Sequence, residues 1–167
     1  MLKTIFAASA LLCALTTIPA AALEKPTGDV ILVVTGNVSE KNSDEGASFD
    51  LAMLDALESR TGTMETPWTT GKTTFSGPFL RAVLEAAGAD GKTLRVKALN
   101  DYYAEVPIED AKALDTILAT RKDGEIMSVR DKGPLFLIYP FDKDQSLYNE
   151  KYFSRSVWQI GEIEVNK

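Results

Sequence analysis

Hydrophobic residues occur along this chain in short runs, and most of the runs have the spacing of β-strands. Residues 30–34 and 135–139 are uninterrupted apolar stretches, which predicts strands buried on both faces. Residues 94–98 alternate apolar and basic side chains, which predicts a half-buried strand, and residues 103–106 are expected to be its antiparallel partner. Residues 157–165 carry a further strand pattern, so the chain is predicted to be rich in β-structure throughout.

Three segments have the spacing of helices instead. Residues 49–57 place apolar side chains at helical intervals, with Asp50 as the candidate N-cap. The clearest helix is predicted to open at Pro78, because proline is pre-organised for the first helical position, and to end at Gly88. A shorter helix is expected over residues 109–114.

A hairpin is predicted at residues 122–125, whose Asp-Gly pair is typical of a tight turn between strands at 116–119 and 126–129. Many short strands, few helices and no regular alternation of the two predict an α+β fold with a mixed β-sheet core. No internal repeat, low-complexity segment or linker divides residues 23–167, so we expect them to form a single domain.

The first 22 residues have the pattern of a cleavable export signal. Lys3 supplies a positive start, residues 5–18 are mostly apolar, and three alanines precede the expected cleavage point after Ala22. The apolar run is shorter than the roughly 20 residues that a membrane span needs. We therefore expect residues 1–22 to be a signal peptide, which in a bacterium places the protein in the periplasm.

Composition narrows the chemistry further. The one cysteine, Cys13, lies in the predicted signal peptide, and the chain contains no histidine. This excludes serine–histidine–aspartate hydrolases and the usual cysteine/histidine zinc sites. The chain has 18 lysine and arginine residues against 24 aspartate and glutamate residues, a net charge of −6, and loss of Lys3 makes it more negative. Nucleic acids and anionic lipid surfaces are therefore poor candidates as partners.

The remaining catalytic and metal motifs are absent or incomplete. Residues 142–148 loosely resemble a calcium loop, but the required glycine and the closing glutamate are missing. The acidic pairs at 44–45 and 109–110 are typical of a solvated loop and a helix start. No glycine-rich phosphate motif occurs. We expect no catalytic set and no metal-ligating set of residues.

Polar and aromatic side chains gather at the predicted strand ends. Each alone is typical of a turn, a core aromatic or a surface charge. Together they supply aromatic faces, amide and carboxylate groups and cations, which suit a flat heteroaromatic ligand with hydrogen-bonding edges. The predicted binding residues are Thr66, Trp68, Asn100, Asp101, Tyr102, Arg130, Lys132, Arg155 and Trp158.

Five segments, in order along the chain, resemble motifs of the sulfite-oxidase-fold, molybdopterin-binding domain family. These segments are 75–80 with Leu84 and Gly88, 101–102 with 107–110, 118–124, 133–140, and 156–158 with Ile163. The resemblance implies that fold and a pterin-type cofactor. Enzymes of the family hold molybdenum through a cysteine thiolate shortly before the first of these segments, where this chain has Met-Glu-Thr-Pro-Trp at residues 64–68. Neither a hydroxyl nor a carboxylate simply replaces a soft thiolate ligand.

The pattern at 66–68, 100–102, 130–134 and 155–159 is similar to a branch of small exported proteins with this fold. Members of that branch bind a free reduced pterin in the periplasm and dock on the periplasmic domain of a membrane-bound cyclic-di-GMP enzyme. The resemblance implies that the pterin ring stacks on Trp68, Tyr102 or Trp158. Its amino-amide edge would pair with Asn100 or Asp101, and a carbonyl or phosphate with the three cations of the predicted site.

Three functions remain open at this point. The first is a pterin-binding, non-catalytic sensor or adaptor that acts through a membrane partner. The second is a molybdopterin-dependent oxidoreductase, or a subunit that carries the cofactor. The third is a plain interaction domain whose pocket is vestigial. By exposure alone, the predicted loops at 39–48 and 141–150 are candidate partner surfaces.

Overall fold

The structure is a computed structural model that describes residues 22–167. All of the predicted signal peptide except Ala22 lies outside the described residues. The strands are β1 (Val30–Gly36), β2 (Ala47–Asp50), β3 (Ser59–Glu65), β4 (Lys72–Pro78), β5 (Thr93–Ala98), β6 (Tyr103–Pro107), β7 (Ile117–Ala119), β8 (Arg121–Lys122), β9 (Glu125–Ile126), β10 (Phe136–Ile138) and β11 (Ile160–Asn166). The α-helices are α1 (Leu51–Asp55), α2 (Leu80–Ala86), α3 (Glu109–Lys112) and α4 (Glu150–Phe153), and 3-10 turns occur at Val129–Asp131 and Gln145–Leu147.

The strands form three sheets. The largest has the order β2–β1–β11–β5–β6, with β1 and β11 parallel and the other neighbours antiparallel. A four-stranded antiparallel sheet has the order β3–β4–β8–β9, and β7 pairs with β10 in a short two-stranded sheet. Few short helices accompany this mixed β-core, so the predicted α+β class is confirmed.

One hydrophobic cluster joins the three sheets. It includes Leu32 and Val96 from the five-stranded sheet, Phe75 from β4, and Phe136 from β10, each nearly or fully buried. Burying an aromatic or branched side chain of this size stabilises the fold by roughly 1.5–3 kcal/mol. The core is therefore built where the apolar runs of the sequence meet. Within residues 22–167, none of the helices has the length and apolar character needed to cross a membrane.

Several local predictions are confirmed. β5 and β6 pair antiparallel, with Val96 opposite Ala104. Asp50 caps α1, because its carboxylate accepts a hydrogen bond from the backbone N–H of Met53 at 2.8 Å. Gly88 lies just past α2 with φ of 61°, a backbone conformation that glycine adopts without a steric penalty.

The predicted start of the second helix is wrong. Pro78 is the last residue of β4, and α2 begins two residues later at Leu80. Proline is tolerated at a strand end. The preceding Gly77 lies so close to β7 that a Cβ atom there would be 2.1 Å from the carbonyl oxygen of Leu118. The Gly-Pro pair thus allows two strands to approach closely, and it does not begin the helix.

The predicted hairpin is correct at its turn and wrong in its strands. Asp123 and Gly124 both have positive φ, as a tight primed turn requires. The turn joins only the two-residue strands β8 and β9. Residues 117–119 pair with β10 and not with residues 126–129, because β7 and β10 are both fully buried and complete each other's backbone hydrogen bonds.

Two burial predictions also need correction. In β1, Leu32 and Val34 are fully buried, but Ile31 and Val33 on the opposite face are only partly buried. The run is continuous in sequence, yet the fold buries one face of the strand fully and the other only in part, with Ile31 packed at the margin of the core. Conversely, the segment at 141–150, predicted as a polar loop, contains the buried side chains of Phe141 and Leu147.

Candidate functional site

A tight turn after β3 positions Trp68. Thr66 is buried, and its hydroxyl lies 2.8 Å from that of Thr69 and accepts a 3.4 Å hydrogen bond from the backbone N–H of Trp68. The backbone N–H of Thr69 also bonds the carbonyl of Thr66. Thr66 therefore stabilises the turn that carries the indole, and it does not line either of the two spaces that border Trp68.

The indole of Trp68 is the centre of an aromatic cluster. Its ring centroid lies 5.3 Å from that of Phe136, 5.7 Å from Phe153 and 6.2 Å from Trp158, each in an edge-to-face arrangement. Edge-to-face pairs at these distances add to the stabilisation that burial gives. Trp158 also forms an isolated β-bridge with Phe136, which brings the entrance of β11 to β10.

One side of this cluster opens into a cavity of about 480 Å³, which we call the aromatic cavity. Its walls combine aromatic rings with a few polar groups. The lining residues are Trp68, Ala98, Asn100, Tyr102, Glu150, Phe153, Ser154, Ser156 and Trp158. Tyr102 and Trp158 are 55% and 38% exposed, so their faces are accessible to a ligand. This is the size and the lining that small-molecule sites have.

The other side of Trp68 borders a smaller space of about 150 Å³, the cationic cleft. Its charged lining residues are Lys122, Arg130, Asp131 and Lys132. The ammonium group of Lys132 lies 4.4 Å from the centroid of the Trp158 ring, a cation–π contact. Both spaces are lined by Trp68, so the cationic cleft adjoins the aromatic surface of the cavity.

The loop between β5 and β6 divides its side chains between two surfaces. Asn100 accepts a 3.2 Å hydrogen bond from the backbone N–H of Tyr102, and both residues line the aromatic cavity. Asp101 has φ of 65° and lines a different cavity, together with Leu99 and Glu162. The structure therefore does not place Asp101 beside Asn100 in the site, contrary to the sequence-based expectation.

Arg155 also lies apart from the two spaces. Its guanidinium donates a 2.8 Å hydrogen bond to the carboxylate of Asp110, which accepts a second one of 2.7 Å from the hydroxyl of Tyr139. Burial, together with the hydrogen bond to Asp110, raises the pKa of Tyr139 far above its usual range. Because Arg155 already has a carboxylate partner within the fold, the structure gives it a role in holding α3, β10 and the segment after α4 together.

The oxidoreductase molybdopterin binding domain family matches residues 29–166, which is most of the chain. The chain belongs to this family. No curated protein matches it. Membership confirms the family that the sequence motifs indicated, and it describes a molybdopterin-binding, oxidoreductase-like domain with a pterin-type cofactor.

Among solved structures, the chain is similar to the crystal structure of the sulfane dehydrogenase SoxCD from Paracoccus pantotrophus. The TM-score is 0.59 at 20% sequence identity, over 87% of this chain and 40% of that chain. This chain thus spans less than half the length of that one. At this level of identity the likeness shows the fold, which is the predicted sulfite-oxidase-like fold.

The described residues offer ring faces to a pterin-type cofactor and no thiolate to a metal. Residues 64–68, where the family's thiolate is expected, contribute a buried threonine hydroxyl and an indole, and residues 22–167 contain no cysteine. Within the same residues, no group of three or more histidine, cysteine, aspartate or glutamate side chains is arranged to hold a metal ion. The aromatic cavity, by contrast, has the flat apolar faces and hydrogen-bonding groups that a pterin ring requires.

Several lining residues were missed from the sequence. Phe153 lies on α4, and Ser154 and Ser156 follow it, in a segment whose sequence pattern predicts neither helix nor strand. The usable signal was Asn149, whose side chain accepts a hydrogen bond from the backbone N–H of Lys151 and so caps α4. Lys122 was assigned only to a turn, and its place in the cationic cleft depends on the pairing of β8 with β4.

Proposed function

We propose that this protein is a periplasmic, pterin-binding, non-catalytic sensor or adaptor. It acts on the periplasmic domain of a membrane-bound cyclic-di-GMP enzyme. The observation that carries the ligand assignment is the aromatic cavity beside Trp68, in a molybdopterin-binding domain whose described residues include no cysteine. Export and the membrane partner rest on the signal-peptide pattern and on the resemblance to the exported branch.

Shape and chemistry of the cavity support the ligand. A pterin is a planar bicycle, and Trp68, Tyr102 and Trp158 supply ring faces and edges around a space of about 480 Å³. Asn100, Ser154 and Ser156 bring amide and hydroxyl groups to the same space. Of these, Ser156 is buried and the other two are exposed. A buried polar group gives selectivity, because a ligand without a matching group leaves it unpaired.

The cationic cleft supports an electron-rich or anionic edge on the ligand. Arg130 and Lys132 lie there with Lys122, and one carboxylate, Asp131, accompanies the three cations. That carboxylate accepts a 2.9 Å hydrogen bond from the hydroxyl of Ser128. The cleft therefore carries a positive excess next to the stacking surface. A carbonyl oxygen of a free pterin, or the phosphate of a molybdopterin, would be favoured at that place.

The donor set supports a role without molybdenum chemistry. Oxo-transfer in this family depends on a metal held by a thiolate, and a soft thiolate is not replaced by the hydroxyl of Thr66 or by the carboxylate of Glu65. The side chains of this site bind and orient a ring. Occupancy then has a consequence only if the ligand-bound form binds a partner differently from the free form.

The alternative is a molybdopterin-dependent oxidoreductase, or a subunit that carries its cofactor. The observation that favours it is the family match itself, which covers residues 29–166. In that case the phosphate would lie in the cationic cleft, and the metal would need a ligand from outside the described residues.

One experiment separates the two functions. The chain is expressed with its own N-terminus, recovered from the periplasmic fraction and denatured, and the released small molecules are identified by fluorescence and mass spectrometry alongside metal analysis. We expect a stoichiometric pterin without molybdenum, on a protein that begins at Leu23. Stoichiometric molybdenum would establish the alternative. A protein that neither contains a pterin nor binds one on addition would be an interaction domain with a vestigial pocket.

A further inference from the structure

The outer face of the five-stranded sheet carries a groove that shares only Ala98 with the lining of the aromatic cavity. It consists of two adjoining spaces of about 620 and 460 Å³, which share Val33, Leu99 and Gly161. We call it the outer groove. One end is apolar, with Val30, Ile31 and Val129 beside the shared residues, and the other end is polar.

The apolar end is unusually open. Val30, Leu99 and Val129 are 49%, 57% and 50% exposed, and they face the same groove. Single exposed apolar residues are ordinary, but a contiguous exposed patch with a polar rim marks an interaction surface. The partly buried Ile31 and Val33 of β1 form its floor, so the fold covers this face of the strand only in part.

Ion pairs run from the polar end of the groove across the neighbouring part of this sheet face. Lys97 lies 3.1 Å from Glu162 and 3.7 Å from Glu164, and Arg95 lies 3.5 Å from Glu164. These pairs cover the β5–β11 half of the face with side chains that already have partners. The groove over β1 therefore differs from its surroundings in offering apolar surface to another molecule.

Charge identifies the kind of partner. Glu45, Asp101 and Glu162 line the polar end of the groove, and the only cation there, Lys97, is shared between Glu162 and Glu164. The groove thus ends in an acidic excess, on a chain whose net charge is −6. Two copies of this chain would bring acidic ends together, whereas basic side chains on a different protein would complement them.

We propose that the outer groove is a docking surface for a segment of another protein that combines apolar side chains with lysine or arginine at one end. The proposal names the contact surface of the adaptor, and in that respect it rests on the proposed function. Leu99 and Val129 are its apolar contacts, and Glu45 and Asp101 receive the basic end.

The groove and the ligand site are built from the same two loops. Leu99 and Asp101 line the groove, while Asn100 and Tyr102, which alternate with them, line the aromatic cavity. In the second loop, Val129 lines the groove, and the next residues lie in the cationic cleft.

Gln159 ties the two loops together, just after the cavity residue Trp158. Its carbonyl accepts a 2.8 Å hydrogen bond from the backbone N–H of Leu99, and its own N–H donates one of 3.0 Å to Lys132. Its side-chain amide donates a 2.7 Å hydrogen bond to the carbonyl of Val129. A ligand that moves either loop from inside therefore changes the groove outside.

The test uses a display library of random dodecapeptides selected on the full chain purified from the periplasm. Affinities of synthetic copies of the selected peptides are then measured by fluorescence anisotropy. We expect selected sequences to combine apolar residues with a basic end. We expect the double variant Leu99→Ser/Val129→Ser to lose at least about tenfold in affinity, as the loss of two half-buried apolar contacts predicts. The matched control is Ile126→Ser, an apolar residue of β9 that is 59% exposed and lies outside the groove, and it should bind as the unaltered chain does.

Five results would overturn the proposal. The first two are that no peptide is selected, or that the selected peptides have acidic ends. The third is an equal loss of peptide affinity in the double variant and in Ile126→Ser. The fourth is that the unaltered chain and Ile126→Ser sediment as a stable dimer while the double variant sediments as a monomer. Preferential binding of a synthetic peptide with the sequence of residues 5–18 would assign the groove to this chain's own N-terminal segment and would also overturn it. Pterin binding, followed by tryptophan fluorescence on the same samples, is the independent readout. Lost pterin binding with intact peptide binding contradicts the proposed function alone, and the reverse contradicts the docking surface alone.

Discussion

Arg155 and the basic side chains of the cationic cleft differ in whether the fold itself supplies a counter-ion for their charge. Arg155 donates to Asp110, which also accepts from Tyr139, so the charge is neutralised inside the protein. In the cationic cleft, Arg130 and Lys132 accompany Lys122 with only Asp131 as a carboxylate. Arg155 therefore stabilises the fold, and the cations of the cleft are available to a ligand.

This contrast between Arg155 and the cleft cations shows that residue type alone does not identify a binding site. An arginine three residues before a tryptophan has the same pattern whether it binds a ligand or a buried aspartate. Only the position of α3, which brings Asp110 to Arg155, decides between the two. The comparison therefore predicts large stability effects on one side and large binding effects on the other.

The largest effect is expected from Asp110→Ala. The change leaves the Tyr139 hydroxyl and the Arg155 guanidinium without their shared acceptor, and breaking a buried pair in this way costs about 3 kcal/mol. Chemical denaturation measures the loss. The control is Asp55→Ala, which breaks a two-point pair with Arg121 at 2.6 and 2.7 Å that is more exposed and should cost less than about 1 kcal/mol. Equal losses in the two variants would show that the Asp110 cluster is no more structural than a surface pair.

The same cluster predicts sensitivity to alkali. Because burial and the hydrogen bond to Asp110 raise the pKa of Tyr139 in the folded protein, only the unfolded chain ionises this tyrosine near pH 10. Its contribution to stability is complete below that pH and is lost as the pH rises above it, at up to about 1.4 kcal/mol per pH unit. Urea denaturation from pH 9 to 11 should show a steeper decline for the unaltered chain than for Tyr139→Phe. Parallel curves would contradict the burial of an ionisable hydroxyl there.

Among the variants of the aromatic cavity, Tyr102→Ala is expected to lower the affinity for pterin, and Tyr103→Ala is its control. The two tyrosines are neighbours and are 55% and 51% exposed, but Tyr102 lines the aromatic cavity, while Tyr103 packs under Arg95. Loss of one stacking face should weaken pterin binding about tenfold, or about 1.4 kcal/mol. Titration of tryptophan fluorescence with pterin measures it, and equal affinities in the two variants would remove the pterin from this cavity.

The comparison also shows which parts of the structure were readable from the sequence. Apolar runs and alternation predicted β1, β10 and the β5–β6 pair, because the local spacing of apolar residues reflects which faces of a strand are buried. The motifs that mark the family gave the fold. Four of the predicted residues, Trp68, Asn100, Tyr102 and Trp158, line one cavity, because they lie beside strand ends that the fold brings together.

The predictions that the structure corrects depend on contacts between residues that are distant in the sequence. Pro78 ends a strand because Gly77 must pass close to β7, and no local pattern contains that contact. Arg155 belongs to the fold and not to the site, because Asp110 lies 45 residues away in sequence. Asp101 lies in a loop and has a positive φ, and its side chain lines the outer groove while those of its two neighbours line the aromatic cavity. Such decisions depend on residues that only the folded chain brings together.

The smallest effect concerns the link between the two surfaces, and Gln159→Gly tests it. Gln159 has φ of 55°, which glycine adopts freely, so the variant keeps the backbone hydrogen bonds to both loops and removes only the side-chain bond to Val129. If that bond transmits occupancy, pterin should change the affinity of a groove-binding peptide about threefold in the unaltered chain, or about 0.7 kcal/mol, and not in the variant. Anisotropy titrations with and without pterin measure the four affinities. An unchanged ratio in Gln159→Gly would mean that the loops are coupled through their backbone bonds alone, because those bonds are the part of the link that the variant retains.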